Sequence, residues 1–123
     1  DPYVLRTFGE LWVDVSAARA LADEAQRAFQ RAWDAGQALS AGQRGEVAVA
    51  IAAAKVAGTR ASVSVSSRIF EVMGARATTA RFRFDRFWRN ARTHTLHDPV
   101  DYKLKELGRW VVGEEIPTPS FYS

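Results

Sequence analysis

"VAVAIAAAKVAGTRASVSVSSRIFEVMG", residues 47–74, carries two rhythms that point to different folds. From Ser62 to Ser67 serine and valine alternate as they would along a half-buried strand. Val47, Ile51, Ala54, Gly58, Ala61, Val65 and Ile69 instead recur every three or four residues, the spacing of one helix face. The second rhythm runs through the first and far beyond it, so the segment reads as helix. Ser40 and Gln43 supply the start, as the Ser-x-x-Gln of a capping box, and Gly74 supplies the stop. Most residues of this face are small, which lets a neighbouring helix approach closely.

The same rhythm extends outward in both directions. Asp1 can cap a helix and Pro2 suits its first position. Val4, Phe8, Leu11, Trp12, Val15, Ala18, Ala22, Ala25, Phe29 and Trp33 then form one apolar face, ended by Gly36. That helix is about 50 Å long. Downstream, "GARATTARF" (residues 74–82) reads as a connector. A third helix runs from about Arg83 to Leu96 with Phe84, Phe87, Trp88 and Ala91 inward. Pro99 disfavours helix at the residue before it, so Asp98-Pro99 closes that helix and caps a fourth. Val100, Leu104, Leu107 and Val111 face inward there, and Gly113 is the stop. The expected fold is all-α: one domain over residues 1–123, an antiparallel bundle of two long and two short helices. Trp12, Trp33, Trp88 and Trp110 are expected in its core or at an interface. Arg86, Arg89 and Arg92 form a basic ridge, set to pair with Asp85 or a neighbouring helix, or to meet a ligand or a partner subunit.

Composition narrows the classes. The 123 residues are 47% hydrophobic and 25% charged, which suits a folded core and not a disordered tail. The net charge of +3 is mild and suits solvated helix faces; a nucleic-acid surface would need a basic stripe, and nucleic acid is not an expected partner. Without cysteine there is neither a disulfide framework nor a thiolate metal site. No apolar run reaches the roughly 20 residues of a membrane span. "VAVAIAAAKVAG" comes nearest and is broken by Lys55, with Arg60 beyond. No signal peptide is visible and the expected location is cytoplasmic. The chain opens on Asp1-Pro2 and not on Met, as a processed chain, a fragment or one domain of a longer protein would. It holds no GxGxxG, Walker loop or HExxH.

Candidate chemistry gathers in "RNARTHTLHDPVDYK", residues 89–103, which contains both histidines. His94 and His97 stand near each other if the helix reaches that far. Four readings of the pair remain open on residue type alone. They are ordinary residues at a frayed helix end, or two metal ligands with Asp98 or Asp101 as a third. They could also serve a nucleophile among Ser62, Ser64, Ser66 and Ser67, or donate a hydrogen bond and move a proton beside a cofactor.

The stretch from Ile69 to Lys103 resembles the C-terminal segment of the acyl-CoA dehydrogenase superfamily. Glu71, Gly74 and Ala75 fall on that family's Gln-x-x-Gly-Gly signature. Arg89, Asn90, Ala91 and Arg92 fall on its Arg-Asp-Ala-Arg, and His97, Asp98, Pro99 and Val100 on its Tyr/Phe-Glu-Gly-Thr. All three align without gaps. The departures matter: the dehydrogenase base, a Glu, has become Asp98 before a proline, the Gly-Thr is lost, and the Gln has become Glu71. "GARAT", "RFWRNARTHTLHDPVDYK" and "PTPSFYS" are more similar to the branch of reduced-flavin monooxygenases that contains dibenzothiophene monooxygenase.

The resemblance implies the C-terminal flavin-binding and oligomerisation domain of a two-component enzyme. Such enzymes take reduced FMN from a separate flavin reductase and transfer one oxygen to an aromatic or sulfur compound. It implies His97 and His94 as the active-site histidines, and Gly74, Ala75, Arg76 and His97 as flavin contacts; it assigns no metal. The alternatives are the same domain of an acyl-CoA dehydrogenase using FAD, or a non-catalytic helical interaction module. Family members are roughly three times this long, with an N-terminal helical domain and a middle β domain. The expectation is therefore a chain that begins after the first helix of its bundle, is inactive alone, and leaves an apolar groove along its first two helices. It should form a dimer or tetramer or pair with the missing domains.

Overall fold

A computed structural model describes residues 1–121 of the chain. It is helical up to Gly113, with an extended tail after it and no strand among the described residues. α1 spans Pro2–Ala35, α2 Ala41–Arg68, α3 Phe70–Met73, α4 Asp85–Thr95 and α5 Val100–Gly113. Local signals set the ends of the long helices. The Tyr3 N–H donates to Asp1 Oδ1 at 2.8 Å, with Pro2 in the first turn. Gly36 ends α1 at φ 54°, a backbone that a side chain would strain. The capping box of α2 closes in both directions: Gln43 N–H to Ser40 Oγ at 3.1 Å, and Ser40 N–H to Gln43 Oε1 at 2.8 Å. The Ser62–Ser67 segment is helix throughout. Its hydroxyls fold back onto their own helix, Ser62 to Thr59 O and Ser66 to Ser62 O, so the alternation builds no sheet.

α2 is the central rod. α1 packs antiparallel to it through a short 3₁₀ turn, α4 lies against its C-terminal half, and α5 packs on it farther toward its start. The two short helices thus follow one another along a single side of α2. The buried apolar side chains are small or few: Leu11, Ala25 and Ala28 on α1, Ala52 and Val56 on α2, and Ala77 after α3. The buried positions of α2, Gly45, Ala52 and Val56, are not on the expected face. Neighbours on several sides leave that helix without a single apolar stripe. Its residues Gly58, Ala61, Val65 and Ile69 line a groove instead. The rod Ala41–Met73 is also long and apolar enough to cross a membrane, although no uncharged run of that length exists in it. Alanines spaced between Lys55, Arg60 and the other charges raise its average, and it packs as the middle of the bundle.

Two cross-links fasten the rods. Arg68 reaches Glu10 of α1 at 2.8 Å and Glu71 of α3 at 3.2 Å. The hydrogen bond from Arg68, followed by the charge of Arg6, holds the Glu10 carboxyl below its ordinary range, and the two carboxylates push the guanidinium up. At the other end Arg44 donates to Pro117 O, and Ile116 packs on Gly45.

Several inward assignments are corrected by the structure. Trp12 is 71% exposed and Trp33 74%, and Trp88 is exposed as well, so no core among the described residues holds them, while Phe87, also exposed, does line the groove against α2. Val111 points away from α2's side of α5. Arg83 adopts φ 53° and cannot start α4, which begins two residues later. α5 does end at Gly113, but Glu114 takes the left-handed closing position. The chain exposes 9028 Å², whereas a folded monomer of 13.7 kDa exposes about 6,600 Å². This domain keeps its large apolar side chains at the surface.

Candidate functional site

α4 ends at Thr95, whose hydroxyl is buried and donates to Arg92 O at 3.0 Å. The chain tightens there: Leu96 N–H reaches Thr93 O and His97 N–H reaches His94 O, each at 3.3 Å. Pro99 turns the backbone to φ −59°, ψ 132° and α5 starts at Val100. Asp98 was expected to cap α5, but that helix has no side-chain cap. The Asp98 carboxylate turns instead to Lys103 Nζ at 3.7 Å, and Glu106 approaches the same ammonium at 3.6 Å. Lys103 is 6% exposed, the one charged side chain among the described residues that is buried. These groups and His97, Pro99, Tyr102 and Ser120 surround a cavity of about 430 Å³. Ser120 arrives there because the tail is anchored through Ile116 and Pro117.

The flavin contacts suggested by the resemblance lie elsewhere. Gly74 ends α3 at φ 79° and the chain turns through a 3₁₀ segment, Ala75–Thr78. Ala77 is buried and fixes the turn, with its N–H on Gly74 O at 3.1 Å, while Gly74, Ala75 and Arg76 are exposed. The whole of α4 separates this turn from His97 along the chain. His94 is on α4, exposed and outside the His97 cavity. The structure therefore joins His97 to Asp98 and Lys103 but does not bring His94 or the Gly74–Arg76 turn to the same pocket. Asp85 pairs with Arg89, and Arg86 lies over the Phe87 ring at 4.9 Å, so the basic ridge is partly engaged within α4. Among the described residues no three His, Asp or Glu side chains converge on a point that could hold a metal ion.

Lys103, Glu106 and Ser120 were not singled out from sequence. The i,i+3 charge pair Lys103–Glu106 was visible, but nothing in the residue order signals that its ammonium is buried. An apolar groove of about 660 Å³ runs between α1, α2 and α4, lined by Val15, Gly58, Val65, Ile69, Phe84 and Phe87 among others. It follows the first two helices as expected, with α4 as a third wall.

Residues 1–102 match the family described as acyl-CoA dehydrogenase, C-terminal domain. The chain belongs to that family. Relatives match over all 123 residues of this chain. A probable FMNH2-dependent monooxygenase of Pseudomonas putida is 54% identical over all 123 residues, which are 31% of its own length. A dibenzothiophene monooxygenase of Mycolicibacterium goodii is 51% identical over the same span, 30% of its length. Methanesulfinate monooxygenase from Pseudomonas fluorescens superposes with a TM-score of 0.97 at 53% identity, covering this whole chain and 32% of that one. The FMN-bound enzyme of a Paenibacillus species, a dibenzothiophene monooxygenase, gives 0.94 at 48% identity over 31% of its chain. The chain thus spans about a third of the proteins it matches. In this family the three short signatures around Glu71, Arg89 and His97 fall on the end of α3, on α4 and on the corner before α5. The last two residues of the "PTPSFYS" tail lie outside the described residues.

Proposed function

We propose that this chain is the C-terminal helical domain of a two-component monooxygenase that uses reduced FMN from a separate reductase. Its substrate is a sulfur or aromatic compound, of the kind named for its relatives. The observation that carries this reading is similarity over the whole of this chain to a probable FMNH2-dependent monooxygenase and to dibenzothiophene monooxygenases at 46–54% identity, together with His97 followed by an aspartate, not the dehydrogenase glutamate, at the corner before α5. The reading goes with a cytoplasmic location and with assembly into a dimer or tetramer through the exposed aromatics of α1.

The donor set fits the cofactor. Gly74, Ala75 and Arg76 offer an open turn, where a Cβ on Gly74 would meet nothing within 4 Å, beside an exposed guanidinium suited to a phosphate. Reduced FMN, when bound, supplies the electrons that activate dioxygen. His97 would donate a hydrogen bond to the oxygen being transferred and would move a proton there. His94 stands one helical turn away as a second polar group. Exclusion of water at such a site needs surfaces beyond this chain's own, because His97 is exposed here. The dehydrogenase alternative requires Asp98 as a free base for an α-proton, and that carboxylate is engaged by Lys103.

The test uses the full-length oxygenase with a flavin reductase, dioxygen and either dibenzothiophene or an alkanesulfinate. Replacing His97 by Asn should abolish oxygenated product while the reductase still consumes its reductant. Unchanged product formation refutes the role of His97. The 123-residue chain alone should bind FMN weakly; a dissociation constant below about 1 μM would contradict a site shared with other segments.

A further inference from the structure

Lys103 and Thr95 are the buried polar side chains among the described residues, and they flank His97 from either side. A buried ammonium is costly in a chain with so small a core, and an apolar side chain at position 103 would pack more favourably. The ammonium is kept, and two carboxylates, each about a quarter exposed, attend it from α5 and from the corner. Pro99 occupies the N-cap of α5 and has no side chain that can cap, so Asp98, one residue outside it, is left to turn to Lys103.

We propose that Lys103 is a positioning residue for His97: by holding Asp98, it fixes the corner that presents the imidazole to the reacting oxygen. The proposal rests on the reading of His97 given above. Thr95 anchors the incoming side through its bond to Arg92 O, and Lys103 anchors the outgoing side through Asp98. The groups that face this pair are His97, Tyr102 and Glu106 around the cavity, with Ser120 from the tail.

The test begins with the full chain. Lys103→Met keeps the length of the side chain and removes its charge; Asp98→Asn breaks the same pair from the other end should the first variant fold poorly. NMR of the imidazole Cε1–H groups reports each ring, and hydrogen exchange reports the His97 and Tyr102 amides, which are bonded to His94 O and Pro99 O. In both variants the His97 signal should move toward that of an unstructured histidine while His94 stays in place. The two amides should exchange about tenfold faster, and Lys103→Arg should restore both. A His97 signal unmoved in both variants overturns the proposal, and so does an equal shift at His94, which marks general loosening. In the full-length oxygenase the variants should lower kcat for oxygen transfer and leave KM unchanged. If the corner responds by NMR while His97→Asn leaves oxygen transfer intact, the positioning stands and the flavin reading fails.

Discussion

Replacing Gly45 by Ala sets two effects against each other. A glycine inside a helix costs about 1 kcal/mol relative to alanine, so α2 by itself gains that much. The new Cβ, however, would overlap Ile116 Cγ2 and lie 3.1 Å from its Cγ1, so Ile116 must move. Ile116 is 37% exposed, and burying the remaining two thirds of such a side chain is worth about 1–2 kcal/mol. The bond from Arg44 to Pro117 O adds about 1 kcal/mol to the docked tail. Overpacking costs about 1–3 kcal/mol, similar to the whole docking energy. The tail is extended and exposed on one side, so detachment of residues 114–121 is the cheapest relief. The expected result is a global stability within about 1 kcal/mol of the parent, with tail protection reduced about thirtyfold. Hydrogen exchange over the tail, or cleavage at Glu114 and Glu115 by a glutamate-specific protease, measures the second quantity; urea unfolding measures the first. Adding Ile116→Ala removes the overlapping carbons and should recover part of the protection. A Gly45→Ala chain whose tail stays protected while stability rises by the full helix gain would refute the reasoning.

Acid should loosen the α1–α2 link. Arg68, and then Arg6, hold Glu10 below its ordinary value of 4.5. A depressed folded pKa adds stability that is complete above the unfolded value and is lost as pH falls through it toward the lowered one. Thermal melts from pH 6 to 3 should therefore decline, and less steeply for Glu10→Gln; equal slopes would contradict the link. Leu11 is 4% exposed, and Leu11→Ala should cost about 2–4 kcal/mol by denaturant titration. Trp12, largely exposed on α1, is the expected centre of self-association. Trp12→Asp should weaken assembly by about thirtyfold or more, the scale of an interface hot spot, and sedimentation showing a monomeric parent chain at high concentration would remove the premise.

What the residue order determined was local. Asp1 with Pro2, Ser40 with Gln43 and Gly36 act within a turn of where they stand, so the two long helices and three of their ends were readable before any coordinates; the second helix, expected to run to Gly74, instead breaks at Ile69 and continues as the short α3. The motifs at Glu71, Arg89 and His97 were readable too, because family signatures are contiguous runs. Partners distant in the chain were decided only by packing. Which side of α2 is buried depends on three neighbours at once, and its small residues leave no stripe to betray the answer. The aromatics of α1 look like core residues by spacing, yet no element among the described residues covers Trp12 or Trp33. Asp98 was read as the cap of α5, but α5 starts one residue later with Pro99 at its N-cap, and the carboxylate meets the buried ammonium of Lys103 instead. That pairing depends on how far Lys103 is removed from water, and burial is a property of the assembled bundle.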